Sequence, residues 1–196
     1  MLSAKQIMLE KEMFNKVYIF IIFLIFFTFG AKASDKDKII ENLKNTKNFD
    51  FNFEQNINGK IENGKCVIKY PKKIFCEYAK SNDKILVSDG KYLVVKTRSS
   101  YYQYPLKKTP LNLILDKKIL IEKIYQLNNR TIDGNLINYT INENDYVINI
   151  FFDNQTFDLI GWQNIDMYQN FNITFISIIT KNRTMPKNLF KIPLQN

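Results

Sequence analysis

From Phe49 the chain alternates between two kinds of residue: Phe49, Phe51, Phe53 and Gln55 fall on one side of an extended segment, and Asp50, Asn52, Glu54 and Asn56 on the other. A period of two with this contrast predicts a half-buried strand whose aromatic face needs a cover. After the turn signal Asn58-Gly59, strands are predicted over 61–70, 74–79, 84–88, 91–97 and 100–104, with Pro71, Asp89-Gly90 and Arg98-Ser99 as punctuation. Strands resume at about 136–141, 146–152, 159–166 and 171–179.

Two regions break this rhythm. Ser34 or Asp35 can cap a helix running to about Lys47, with Ile39, Ile40 and Leu43 on one face. At Thr109-Pro110 a second helix is predicted, Thr109 capping it, Pro110 in its first turn, and Leu111, Ile114 and Leu115 on one side. A short apolar segment, 119–124, follows Asp116-Lys117-Lys118. The fold class is therefore α+β, mainly β: one long, strongly curved antiparallel sheet with helices from the N-terminus and the middle of the chain. Several strands are apolar on both faces, including Leu93-Val94-Val95, 148–152 and 173–179. A sheet with one solvated face should alternate. Either helices and sheet close into an ordinary core, or part of the apolar surface lines a cavity beneath a helical lid, and composition leaves both open.

The chain of 196 residues is 45% hydrophobic and 14% aromatic, enough for a sizeable core in about one domain. Its formal charge of +9 is spread over lysines interleaved with Asp, Glu and Asn. No dense basic cluster marks a nucleic-acid partner. The absence of histidine removes Ser-His and Cys-His nucleophiles and the usual zinc ligands. The acids sit in turn-like contexts such as Ser88-Asp89-Gly90 rather than in facing pairs. No enzyme, metal site or cofactor is expected.

Residues 17–30 form an apolar run preceded by Lys11 and Lys16 and followed by Ala31-Lys32-Ala33, the layout of a cleaved secretory signal. At about fourteen residues the run is shorter than the roughly twenty of a membrane-spanning helix. Cleavage after Ala33 is expected, with Met8 or Met13 as alternative starts. Residues 34–196 then form a single domain, and losing four basic and two acidic residues with the leader leaves a charge of about +7. Ser34 stands where a bacterial lipoprotein carries its lipid-bearing Cys, so a soluble mature protein is expected. Cys66 and Cys76 are equidistant from Pro71. If the chain folds back there they face each other across two strands, and in an oxidising compartment a disulfide is expected.

Several segments resemble the outer-membrane lipoprotein carrier family, in the family's order. Phe49, Phe53 and Gln55 match its Phe-x-x-x-Phe-x-Gln strand; 64–78 (GKCVIKYPKKIFCEY) is similar to its glycine, apolar strand, proline and aromatic strand block. ILVSDG at 85–90 with Tyr92-Leu93, Thr109-Pro110-Leu111, and the closing 186–193 with Leu189-Phe190 continue the likeness. The resemblance implies an incomplete barrel with helices over an apolar cavity. It also implies a monomeric periplasmic chaperone that binds the acyl chains of lipoproteins and carries them from an inner-membrane ABC transporter to an outer-membrane receptor. Together with the surplus of apolar faces it places Phe49, Phe51, Phe53, Ile68, Tyr70, Leu93, Ile148 and Phe152 in the cavity, with Leu111, Ile114 and Leu115 on the lid. The family commonly has an arginine, implicated in holding the lid, just before the hairpin proline. Here Tyr70 stands in that place, and Lys69 would point to the opposite face. Either the Tyr70 hydroxyl takes over the lid contact or the gate works differently.

Other readings remain: a membrane-anchored lipoprotein receptor, which the missing lipid-bearing Cys argues against, a half-barrel envelope sensor or regulatory lipid-binding protein, or a secreted structural or adhesion protein. The last would use the Asn-x-Thr sites at Asn129, Asn138, Asn154, Asn172 and Asn182 for glycosylation, although so Asn-rich a chain produces such sites by chance.

Overall fold

The computed structural model describes residues 13–16, 18, 33–79, 82–128, 130–143, 146–165 and 170–195. The chain divides into two compact units, Met1–Ala33 and Ser34–Asn196. Within the first, only the helical residues 13–16 and 18 and the terminal Ala33 are described. The signal-peptide run therefore falls almost wholly outside the described residues.

In the second unit the first helix, α1 (Asp35–Asn45), starts with a reciprocal cap. Ser34 Oγ accepts from the Asp37 N–H at 3.2 Å, and the Asp37 carboxylate accepts from the Ser34 N–H at 3.1 Å. Its buried residues are Ile39, Ile40 and Leu43, the face anticipated from their spacing. The chain then turns extended at Thr46 and enters β1 (Asn48–Ile57).

Strands β2 (Lys60–Lys69), β3 (Lys73–Tyr78), β4 (Ile85–Asp89), β5 (Tyr92–Lys96) and β6 (Tyr101–Pro105) follow as a meander. After a 3-10 turn, Leu106–Lys108, come α2 (Leu111–Leu115) and α3 (Lys117–Gln126). The second meander is β7 (Thr131–Asp133), β8 (Leu136–Asn142), β9 (Val147–Asp153), β10 (Leu159–Ile165) and β11 (Phe171–Lys181). The strand order is β6-β5-β4-β3-β2-β1-β11-β10-β9-β8-β7, antiparallel throughout. The junction is the long pairing of β1 with β11, for example Phe53 with Ile176. Strands β6 and β7 remain edges, so the sheet is not closed into a barrel, and the helical segment is what connects those edges.

The sheet folds tightly where side chains are missing. A Cβ on Gly64 would lie 2.1 Å from the Glu77 carbonyl oxygen, and one on Gly161 2.5 Å from that of Thr174. Neighbouring strands approach there more closely than any larger residue permits.

Two local expectations are corrected. Thr109 does not cap α2: its hydroxyl donates to Leu106 O at 2.8 Å, ending the 3-10 turn, and Pro110 occupies the cap position without a side-chain bond. The cap in this region is Asp116, which accepts from the Ile119 N–H at the start of α3. Strand β7 was not anticipated, because its three residues are all exposed and carry no buried-face pattern.

One continuous core joins Ile39 and Leu43 of α1, Ile114 and Leu115 of α2, and Leu120 and Ile124 of α3 to the inner face of the sheet. The doubly apolar strands are explained partly from the other side. Val87 and Val94 on the outer face are also buried. The C-terminal segment runs along this side: Pro186 and Leu189 border a groove with Val67, Phe75 and Ile179, Phe190 is buried, and Lys96 Nζ donates to Leu194 O at 2.8 Å. In the other meander Phe151 stacks on Phe175, ring centroids 5.8 Å apart.

Candidate functional site

A cavity of about 210 Å³ opens between the inner face of the sheet and the segment that leads into α2. Phe51 and Phe53 of β1, Leu93 of β5 and Trp162 of β10 supply its sheet wall, and Thr109, Pro110 and Leu111 its cover. No charged residue is among those lining it. Period two puts Phe51, Phe53 and Gln55 on one face of β1; the β1–β11 and β10–β11 registers then set Thr174 beside Gln55 and Trp162 beside Thr174.

Of the residues expected in such a cavity, Phe51, Phe53, Leu93 and Leu111 line it. Phe49, Ile68, Tyr70, Ile148 and Phe152 share the inner face but pack in the closed core beside it, and so do Ile114 and Leu115 of the expected lid. Phe49 leans on Tyr70 at 6.1 Å, and Phe152 meets Tyr139 edge-on at 6.0 Å. Helices α1 and α3 supply the cover over this part of the face, whereas the cavity lies where α2's first turn reaches the sheet. Lining residues that the sequence did not point to as part of a cavity include Trp162, Tyr78, Asn164, Asn172 and Thr174. Gln55 was legible as the continuation of the Phe51-Phe53 face, whereas the others depend on pairings between distant segments.

Cys66 and Cys76 are register partners on β2 and β3, their Cα atoms 4.1 Å apart, and are joined by a disulfide that forms part of the cavity wall.

The helices are held to the sheet by a polar tether beside the β2–β3 turn. Lys72 Nζ lies 3.0 Å from Asp116 Oδ2, the Lys72 N–H donates to Leu115 O at 2.8 Å, and Ser88 Oγ donates to Lys72 O at 3.0 Å. Lys117 Nζ, at the start of α3, donates to Lys44 O and Thr46 O at 3.1 and 2.9 Å and sits 5.3 Å from the Tyr70 ring centre. Burial lowers the Lys117 ammonium pKa and raises that of the Tyr70 phenol. The Tyr70 hydroxyl is buried and meets no hydrogen-bond partner among the described residues. Its ring supports Lys117, while Lys72 makes the ionic contact to the helices; Lys69 points away, as expected, and is exposed.

The far end of the cavity is polar. Gln55 Nε2 donates to Asn172 Oδ1 at 3.0 Å and to Thr174 Oγ1 at 3.2 Å, and the Tyr78 hydroxyl approaches Gln55 Oε1 at 3.4 Å. Asn164 completes this side. Beside it Glu62, the register partner of Gln55, is buried and held by Lys60 at 2.9 Å and by Lys84. Burial works to raise the Glu62 carboxyl pKa, but the hydrogen bonds from Lys84 and Lys60 outweigh it and hold the group below its ordinary value. Tyr78 is pushed up by burial and, secondarily, by the Glu62 charge, so its phenol stays neutral.

An open antiparallel sheet with helices enclosing an uncharged cavity against its inner face defines a class of half-barrel suited to sheltering apolar ligands. The sequence matches the model of the outer membrane lipoprotein carrier protein LolA over residues 39–193, and the chain belongs to that family. No curated protein sequence matches it. Solved structures of similar fold include a LolA superfamily protein from Nitrosomonas europaea (11% identity, 82% of this chain and 99% of the other, TM-score 0.48). Others are LprF from Mycobacterium bovis (12%, 79% and 97%, 0.42) and the MucA/MucB complex of Pseudomonas aeruginosa (9%, 82% and 62%, 0.46).

Proposed function

We propose that this protein is a periplasmic chaperone that binds the acyl chains of lipoproteins in its cavity and carries them from an inner-membrane ABC transporter to an outer-membrane receptor, without catalysing a reaction. The observation that carries this reading is the uncharged cavity between the inner sheet face and the first turn of α2, in a chain of the lipoprotein carrier family. The physical need is plain: exposing an acyl chain to water costs about 0.8 kcal/mol per methylene, so an unaided lipid would leave its membrane very slowly. In this reading residues 1–33 are a cleaved export signal and residues 34–196 the carrier.

At about 210 Å³ the cavity is smaller than the roughly 300–1,000 Å³ of most small-ligand sites. In this reading the protein is in its closed form, and loading moves α2 and its neighbours outward from the sheet. Such a movement has to break the tether at Lys72 and Asp116, because it spans the sheet and the α2–α3 joint. Leu111, which lines the cavity, moves with it, while Ile114 and Leu115 would leave the core.

Two of the five sequons argue against the adhesion alternative. Asn172 Oδ1 accepts a hydrogen bond from Gln55 at the cavity wall, and Asn182 bonds the Lys47 N–H and Asn45 O, so neither is presented for a glycan.

The reading is tested by loading the protein with a diacylated lipoprotein carrying a photoactivatable chain. Crosslinks are expected at Phe51, Phe53 or Leu111, together with transfer to acceptor outer-membrane vesicles. A protein that neither crosslinks to the chain nor keeps the lipoprotein in solution is not a carrier.

A further inference from the structure

The inner face of the sheet changes character along the strands, and the change follows the register. Phe51 and Phe53 of β1 give way to Gln55, Ile176 of β11 to Thr174 and Asn172, and Trp162 of β10 to Asn164. The polar residues meet side by side: Gln55 pairs with Thr174, and Asn164 with Asn172. They form one band across three adjacent strands at one end of the cavity. A surface that served only to shelter hydrocarbon would gain nothing from it.

Within the band the hydrogen-bonding capacity is unequally used. Gln55 has both amide protons committed, to Asn172 and Thr174, and its carbonyl faces the Tyr78 hydroxyl. The Asn172 amide nitrogen remains free to donate, and Asn164 makes no side-chain hydrogen bond among the described residues. Both side chains line the cavity. Lys60 and Lys84 pair with Glu62, the register neighbour of Gln55, and none of the three lines the cavity.

On the acyl-binding reading above, we propose that this band is a headgroup subsite for the uncharged amide and ester linkage of an acylated polypeptide, and that it discriminates against lipids headed by a phosphate. An amide or ester asks only for hydrogen-bond donors and acceptors, which Asn164 and Asn172 supply. A buried anion would need a countercharge, and none of the residues lining the cavity carries one. Gln55 is a positioning residue that fixes Asn172 and Thr174. The selectivity follows from this arrangement: a membrane offers phospholipids in large excess, and a cavity lined by hydrocarbon alone would fill with them.

The test uses protein produced from the full chain and two ligands with the same two palmitoyl chains, a diacylglyceryl-cysteine peptide amide with uncharged ends and phosphatidylglycerol. N-phenyl-1-naphthylamine, an uncharged apolar probe, reports the hydrocarbon part of the cavity. The peptide amide is expected to bind about tenfold more tightly than phosphatidylglycerol or better. Asn164→Leu with Asn172→Leu should abolish that preference, with retained naphthylamine binding showing that the cavity is still formed. If the double variant does not fold, Asn164→Leu alone removes an amide with no described protein partner and should still reduce the preference. Equal affinity for the two lipids in the unaltered protein, or a preference that survives these substitutions, overturns the subsite while acyl binding stands. Failure of both lipids to bind overturns the acyl-binding reading and this inference with it.

Discussion

Lys72 Nζ lies 3.0 Å from Asp116 Oδ2, and this ion pair ties the β2–β3 turn to the single residue between α2 and α3. Lys72 is partly exposed, so the pair contributes little to overall stability, about 1 kcal/mol or less. Its position gives it leverage over the helices. Lys72→Met is expected to leave the unfolding midpoint nearly unchanged and to speed uptake of an apolar fluorescent probe, followed by stopped flow. An uptake rate equal to that of the unaltered protein would show that the pair does not restrain the helices.

The two ends of α2 should respond differently to truncation. Ile114 is fully buried in the core, so Ile114→Ala is expected to cost about 2–5 kcal/mol in denaturant unfolding. Leu111 is only partly buried and faces the cavity. Leu111→Ala should cost well under that, while changing the affinity for acyl ligands. Equal losses of stability at both positions would place Leu111 in the core instead.

The Cys66–Cys76 bond closes a short loop, with a sequence separation of 10. In the chain-entropy model this contributes roughly 2–3 kcal/mol. Protein recovered from an oxidising compartment should show no titratable thiol when denatured without reductant, and reduction should lower its stability by that amount. Two reactive thiols would contradict the bond. Because both residues line the cavity, Cys66→Ala with Cys76→Ala should also enlarge the space available to a probe.

Glu62 should make the protein acid-sensitive. Its carboxyl is held below the ordinary value of about 4.5 in the folded state, because the bonds from Lys84 and Lys60 prevail over burial. A depressed pKa contributes stability that is present above the unfolded value and is lost as pH falls from about 4.5 through the folded value. Glu62→Gln is expected to cost on the order of 1–3 kcal/mol near neutral pH and to flatten the loss of stability below pH 4.5. Unfolding curves of the two proteins that stay parallel down the acid range would rule this out.

The local features were readable because each depends on neighbours in the chain. Alternation at Phe49, Phe51 and Phe53 specifies one face of β1; Asn58-Gly59 supplies the turn to β2; the symmetric spacing of Cys66 and Cys76 about Pro71 pairs them across a hairpin. Ser34 as a cap and the buried stripe of Ile39, Ile40 and Leu43 are of the same kind. Thr109 misled because a hydroxyl next to a proline can bond backward as readily as forward, and the preceding turn at Leu106 took it.

Other features exist only in the folded chain. Phe49 and Phe53 have the same chemistry and the same strand face, yet Phe49 is packed beside Tyr70 and Phe53 borders the cavity. The difference is where α1 and α3 end and α2 begins, which no periodicity within β1 encodes. The band of Gln55, Thr174, Asn172 and Asn164 depends likewise on β1 meeting β11, segments 119 residues apart at the Gln55–Thr174 bond. Strand patterns say which side of each segment avoids water; which segments then share a face is decided by the one register that buries those sides together.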